Sequence, residues 1–214
     1  MNHETRFEQA WQQLPMVAIL RGITPDEAIP MADMLYAAGW RMLEVPLNSP
    51  DPLNSIHRLL SHCGDRMLVG AGTVLEVDQV QQLAALGAQL VVSPNCNPEV
   101  IRATRAAGMI SLPGVQTATE CFAALAAGAH GLKFFPAELV PPGAIRALRS
   151  VLPSHCKLLP VGGVTPDTMA DYVGAGANGF GIGGALYKAG DSVATVRERA
   201  LRFTEAWQRH KAQS

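Results

Sequence analysis

The chain has 214 residues, 48% of them hydrophobic, with 17 lysines and arginines against 18 acidic residues and a formal net charge of −1. A near-neutral chain with no basic block is a poor match for nucleic acid, which is not an expected partner. The opening Met1-Asn2-His3-Glu4-Thr5-Arg6 lacks an apolar signal region, stretches such as 79–98 are broken by polar residues and proline, and the four cysteines form no CxxC pair; a cytoplasmic protein with reduced thiols and no membrane span is expected.

In chain order, a polar segment carrying Phe7 and Trp11 comes first and predicts an extra N-terminal helix that caps the bottom of the fold. Eight short apolar runs then recur: Met16–Leu20, Arg41–Val45, Met67–Ala71, Gln89–Ser93, Met109–Leu112, Gly131–Phe135, Lys157–Val161 and Gly179–Ile182. Their starts lie roughly 20 to 26 residues apart, the length of one strand, one helix and two turns. The segments between are rich in Ala and Leu. Thr24-Pro25-Asp26-Glu27, Ser49-Pro50-Asp51 and Thr165-Pro166-Asp167 each read as a hydroxyl cap followed by proline at the first helical position. Thr73 to Glu76 and Thr117 to Glu120 fit the capping box. Gly39, Gly87, Gly108, Gly128 and Gly176 sit where helices should close. Eight strands alternating with helices, without a linker, predict a single α/β domain over residues 1–214, a (β/α)8 TIM barrel. Gly174-x-Gly176-x-x-Gly179 matches a dinucleotide fingerprint as a pattern, but it closes a helix and enters a strand, the reverse of what that site needs.

Two residues break the apolar pattern. Lys133 lies inside the sixth run, Gly131-Leu132-Lys133-Phe134-Phe135-Pro136, where lysine is rarely buried unless paired or functional. Desolvation lowers an amine's pKa and makes it a usable nucleophile, and attack on a ketone gives an imine that, once protonated, withdraws electrons from the neighbouring carbon. A structural lysine neutralising a carboxylate is the other reading. Strand alternation in Met42-Leu43-Glu44-Val45-Pro46 turns Glu44 into the barrel, where it is either a general acid/base or half of an ion pair with Lys133 or Arg21. Arg21 ends the first run and can clamp a carboxylate or form a rim salt bridge, and Thr73 ends the third with a hydroxyl for the same carboxylate. Glycine-rich turns, Gly162-Gly163 and Gly181-Ile182-Gly183-Gly184, come after the seventh and eighth runs, the recurrent phosphate site of such barrels.

With these motifs placed, the chain from Leu14 to the last helix resembles the 2-keto-3-deoxy-6-phosphogluconate and -galactonate aldolases. The likeness rests on Ile19-Leu20-Arg21-Gly22, Leu43-Glu44-Val45-Pro46-Leu47, Gly70-Ala71-Gly72-Thr73-Val74, Ser93-Pro94-Asn95, Lys133-Phe134-Phe135-Pro136 and Gly162-Gly163-Val164. The resemblance implies an imine at Lys133, Glu44 as acid/base, and a pyruvate pocket of Arg21, Thr73, Pro94 and Phe135. It also implies a phosphate on Gly162, Gly163, Gly183 and Gly184. The implied partner is a small sugar-acid phosphate, with no cofactor or metal, and a homotrimer. Val161, where the gluconate branch usually carries threonine, and Pro46-Leu47-Asn48 make the chain look like the galactonate branch. Gly184 stands where the family commonly has serine.

The expected reaction is class I aldol cleavage, with the gluconate epimer or dual specificity as the nearest alternative. A phosphate-binding isomerase or epimerase using Glu44 without a covalent intermediate, a metal-dependent aldolase and a non-enzymatic sugar-phosphate binder are the rival classes. The six histidines are dispersed and no HExxH occurs, which disfavours the metal-dependent class.

Overall fold

A computed structural model describes residues 2–213. Helix α1 (His3–Gln13) is capped by Asn2, whose side chain accepts from the Thr5 amide at 2.8 Å. Strands and helices then alternate: β1 (Met16–Ile19), α2 (Pro25–Ala37), β2 (Met42–Pro46), α3 (Pro52–Cys63), β3 (Leu68–Gly72), α4 (Val77–Ala85), β4 (Leu90–Val92), α5 (Pro98–Ala106), β5 (Ile110–Leu112), β6 (Gly114–Val115), α6 (Ala118–Ala126), β7 (Leu132–Phe134), α7 (Pro142–Arg149), β8 (Leu158–Pro160), α8 (Met169–Gly174), β9 (Phe180–Ile182) and α9 (Val193–Gln213). Every strand pairing is parallel, in a six-stranded sheet β5-β4-β3-β2-β1-β9 and a three-stranded sheet β6-β7-β8. An isolated parallel bridge, Val161 to Gly181, links β8 to β9. Pro113, which has no N–H to contribute to a ladder, separates β5, the strand of the fifth apolar run, from a short additional strand β6 that no expected run covers.

The pleat sorts the side chains. Leu43, Val45, Val69, Val91, Leu132, Phe134 and Phe180 face the helices in one core. Val17, Met42, Leu68, Leu90, Ile110, Leu112 and Leu159 face the other way, in a second core that also holds Phe7 of α1. Met42, Leu68, Leu90 and Ile110 begin their strands, so α1 packs where the strands start. Glu8 pairs with Lys157 at 2.7 Å and Glu4 with Arg105 at 2.6 Å, tying α1 down. No helix among the described residues is long and apolar enough to cross a membrane.

Helix ends match expectation closely. Gly39, Gly87, Gly108, Gly128 and Gly176 all have φ between 72° and 103°, the left-handed region in which glycine closes a helix without a Cβ penalty. The capping boxes of Thr24 with Glu27 and Thr117 with Glu120 form. Three other expected helix starts do not. α3 begins at Pro52 after Asp51, and the Ser49 hydroxyl instead accepts from the Gly22 amide at 3.0 Å. α4 begins at Val77, capped by Glu76 with Gln79, which leaves Thr73 free of any capping role. Thr165 and Thr168 bond each other in a turn ahead of α8, which starts at Met169. Hydroxyls in these loops serve tertiary contacts or turns of their own.

Phe7 is wholly buried beneath the strand starts, at the end away from the strands' C-terminal loops. Phe7→Ala is expected to lower stability by about 3–5 kcal/mol in denaturant unfolding, while any activity seated at the C-terminal ends survives below the lowered Tm.

Candidate active site

β2 and β7 carry the two polar side chains that the pleat sends inward: Glu44 is 1% exposed and Lys133 is 5% exposed. Glu44 lies in register between Ile19 of β1 and Gly70 of β3, and its carboxylate leans over Gly72. A Cβ on Gly72 would stand 1.9 Å from Glu44 Oε2, so this glycine is required by the space the carboxylate takes. Lys133 lies between Gly114 of β6 and Leu159 of β8, and its Nζ stands 4.6 Å from the centre of the Phe135 ring.

Burial governs the charge of both groups. It pushes the Glu44 carboxyl up to about 7, against the opposing pull of Lys133 and then of Arg21. It pushes the Lys133 amine down to about 8; Glu44 works against that shift and Arg21 adds to it. Glu44 Oε2 is buried with no hydrogen-bond partner. A buried acceptor left without a donor is costly, and such groups concentrate where chemistry needs them.

Arg21, just past β1, donates to Asn48 Oδ1 and makes long hydrogen bonds to Thr73 Oγ1 at 3.4 and 3.5 Å. Thr73 has φ 57°, a left-handed conformation that a β-branched residue rarely adopts. That backbone turns its hydroxyl toward Arg21 and away from α4.

A cleft of about 410 Å³ opens at the C-terminal ends of the strands. Arg21, Lys133, Phe135, Val161, Gly162, Gly163, Gly183 and Gly184 all line it. Eight of the eleven residues singled out in the sequence therefore share one cavity. Glu44 lies beneath it, coupled to Lys133 and Arg21 by charge. Thr73 joins through Arg21, and Pro94 stays outside the lining, with its carbonyl against Gly114. A Cβ on Gly184 would meet nothing within 4 Å, so the serine common in the resembled family would fit here. Among the described residues, no three His, Cys, Asp or Glu side chains are grouped to hold a metal ion.

Three participants have site roles that the sequence does not assign to them. Asn48 fixes the Arg21 guanidinium; its signal was a polar residue two places beyond β2, beside the end of β1. Ile19 forms an apolar wall of the cleft but looked like ordinary core. Glu138 packs its carboxylate over the glycine turn, where a Cβ on Gly163 would come within 2.7 Å of Oε1; nothing local in the sequence announces that contact. Together the cleft offers an amine that can add to a carbonyl, a carboxyl able to gain and lose a proton near neutrality, a guanidinium at one side and glycine turns at the other.

A family model described as KDPG and KHG aldolase matches residues 7–196. The chain is 48% identical to 2-dehydro-3-deoxy-6-phosphogalactonate aldolase of Escherichia coli K12, over 92% of this chain and 97% of that protein. A solved structure described as native KDPGal superposes with a TM-score of 0.92 at 47% identity, covering 94% of this chain and 98% of the other. The KDPG aldolase of Legionella pneumophila, crystallised with pyruvate captured as a covalent carbinolamine, superposes with a TM-score of 0.79 at 26% identity over 95% of this chain and 97% of that one. The chain belongs to the KDPG and KHG aldolase family.

Proposed function

We propose that this protein cleaves 2-dehydro-3-deoxy-6-phosphogalactonate reversibly to pyruvate and D-glyceraldehyde 3-phosphate, through an imine on Lys133. The observation that carries this reading is an almost fully buried lysine, its amine opening on a cleft beside a carboxyl that lacks a hydrogen-bond partner. The carbinolamine in the Legionella relative's crystal supports the covalent step. The relatives named for the galactonate substrate support the choice of epimer.

The neutral Lys133 amine adds to the C2 carbonyl, and Glu44 moves the proton that lets water leave the carbinolamine. The resulting iminium draws in the electron pair as the C3–C4 bond breaks, while the carboxylate takes the C4 hydroxyl proton and the aldehyde departs. The enamine is reprotonated at C3 to give the methyl group, and water returns the amine and releases pyruvate. Arg21 and Thr73 hold the pyruvate carboxylate, and Pro94 and Phe135 shape that end of the pocket. The phosphate lies on the amides of Gly162, Gly163, Gly183 and Gly184, and Val161 reads the C4 configuration. In the same reading the two sheets close, through the Val161–Gly181 bridge and the β5–β6 turn, into one (β/α)8 domain with α1 as its extra helix. The protein is cytoplasmic and works as the homotrimer the family resemblance implies.

Borohydride reduction with pyruvate is expected to leave a mass adduct on the Lys133 peptide and none in Lys133→Ala, which is inactive; an adduct on another lysine would remove the central step. Glu44→Gln should lower kcat by roughly 10²–10⁴-fold. It should also move the pH dependence of trapping downward, because the carboxylate that favours the Lys133 ammonium is gone. Because the Glu44 carboxyl is raised in the folded state, its contribution to stability is lost as pH climbs from about 4.5 to about 7. Glu44→Gln should therefore unfold level with wild type at pH 4 and be more stable at pH 9, by roughly 1–3 kcal/mol. Val161→Thr should raise the ratio of kcat/KM for the gluconate over the galactonate epimer by about tenfold, the worth of one hydrogen bond; an unchanged ratio would free Val161 of that role.

A further inference from the structure

A second cleft, also about 410 Å³, lies at the other end of the strands, between α1 and the segments that lead into β2 and β3. The aldol chemistry makes no use of it. Arg6 of α1, Arg41 just ahead of β2 and Arg66 in the turn before β3 all line it, with Asp65 as the carboxylate on its wall. Arg41 and Arg66 stand over the same Tyr36 ring, their Cζ atoms 4.2 and 5.1 Å from its centre. Arg41 is locked there by bonds to Gln13 Oε1 at 3.0 Å and to the carbonyls of Tyr36 and Trp40 at 3.0 and 2.9 Å. Arg6 donates to the Met67 carbonyl at 3.0 Å.

Carboxylate compensation is thin. Arg66 lies 3.3 Å from Asp33 and 3.8 Å from Asp65, whereas among the described residues neither Arg6 nor Arg41 has a carboxylate at ion-pairing distance. Three guanidiniums thus share two nearby carboxylates, Asp33 and Asp65, and both of these lie against Arg66. Each guanidinium donates to a backbone carbonyl, and Arg41 and Arg66 also lie over the Tyr36 ring, so the three positive charges are gathered around one cleft. Their donors come from three separate chain segments. A planar carboxylate is satisfied by a single arginine fork, whereas a tetrahedral oxyanion accepts donors from several directions at once. We propose that this cleft binds a small phosphate-bearing molecule, which bridges α1 to the rest of the fold and raises its stability without touching the aldol site.

The test is thermal unfolding in increasing inorganic phosphate at constant ionic strength, on wild type and on an Arg6→Gln/Arg66→Gln double variant. The glycine turns of the aldol site also take phosphate, so the comparison between the two proteins isolates the cleft. The double variant is expected to lose half or more of the phosphate-dependent rise in Tm while keeping kcat/KM within about twofold of wild type. Wild-type crystals soaked in tungstate should show an anomalous peak among Arg6, Arg41 and Arg66, which keeps the test valid if the variant folds poorly. An undiminished rise in the variant, or tungstate confined to the aldol site, overturns the proposal. So does phosphate binding at the cleft weaker than about 1 mM, an adventitious ion only.

Discussion

Placing an amine and a carboxyl together on the inward faces of two strands, almost wholly shielded from bulk water, is the constraint on which the site depends. Each group alone would be driven neutral by desolvation. Together they oppose that drive, because the carboxylate favours the ammonium and the ammonium favours the carboxylate. Arg21 breaks the symmetry. Its fixed positive charge favours the ionised form of Glu44 and the neutral form of Lys133, the pair of states in which an amine can attack and a carboxylate can accept a proton. In the proposed reaction the substrate carboxylate covers Arg21, and that bias weakens just as a positive iminium must be tolerated. One guanidinium at the rim can therefore set the resting charge state and then release it.

The scaffold yields space and accepts strain to keep this arrangement. Gly72 gives up a side chain so that the Glu44 carboxylate has room. Thr73 accepts a left-handed backbone so that its hydroxyl reaches Arg21, and Asn48 commits its side chain to the same guanidinium. Each choice runs against local preference, and all three cluster at the C-terminal ends of adjacent strands. The opposite end obeys the ordinary rules: Phe7 fills an apolar floor, and Lys157 lies over the Phe7 and Trp11 rings while pairing with Glu8. Stability is gathered at one end and consumed at the other, the usual division when a site must hold groups that prefer water.

How much of this could be read from the chain depends on the range of the forces involved. Strand positions were legible because the two-residue pleat is local; the same alternation that turned Leu43 and Val45 to the helices turned Glu44 inward. Helix closures at Gly39 or Gly128 were legible for the same reason. The failures fall in the loops after strands. Ser49 and Thr73 carry good capping chemistry, but a partner distant in sequence, the Gly22 amide or the Arg21 guanidinium, took each hydroxyl instead. Glu138 is the extreme case, since its importance lies entirely in touching glycines more than twenty residues away. Loop residues of this kind are decided by tertiary contacts, and no window along the chain contains both partners.

The seam between the two sheets brings these threads together. The bridge from Val161 to Gly181 joins β8 to β9 beside the cleft, and a Cβ on Gly181 would fall 2.8 Å from Val161 Cγ2. Val161 is thus packed against a bare backbone, with little freedom to rotate away. A threonine of the same shape would present its hydroxyl from a nearly fixed position, which under the proposed function makes this residue a sensitive place to read a single stereocentre. The same tight packing leaves no room for a side chain at Gly181. In the proposed reaction, selectivity at this seam rests on exchanging a methyl for a hydroxyl, a small change in energy made at a well-defined point in space.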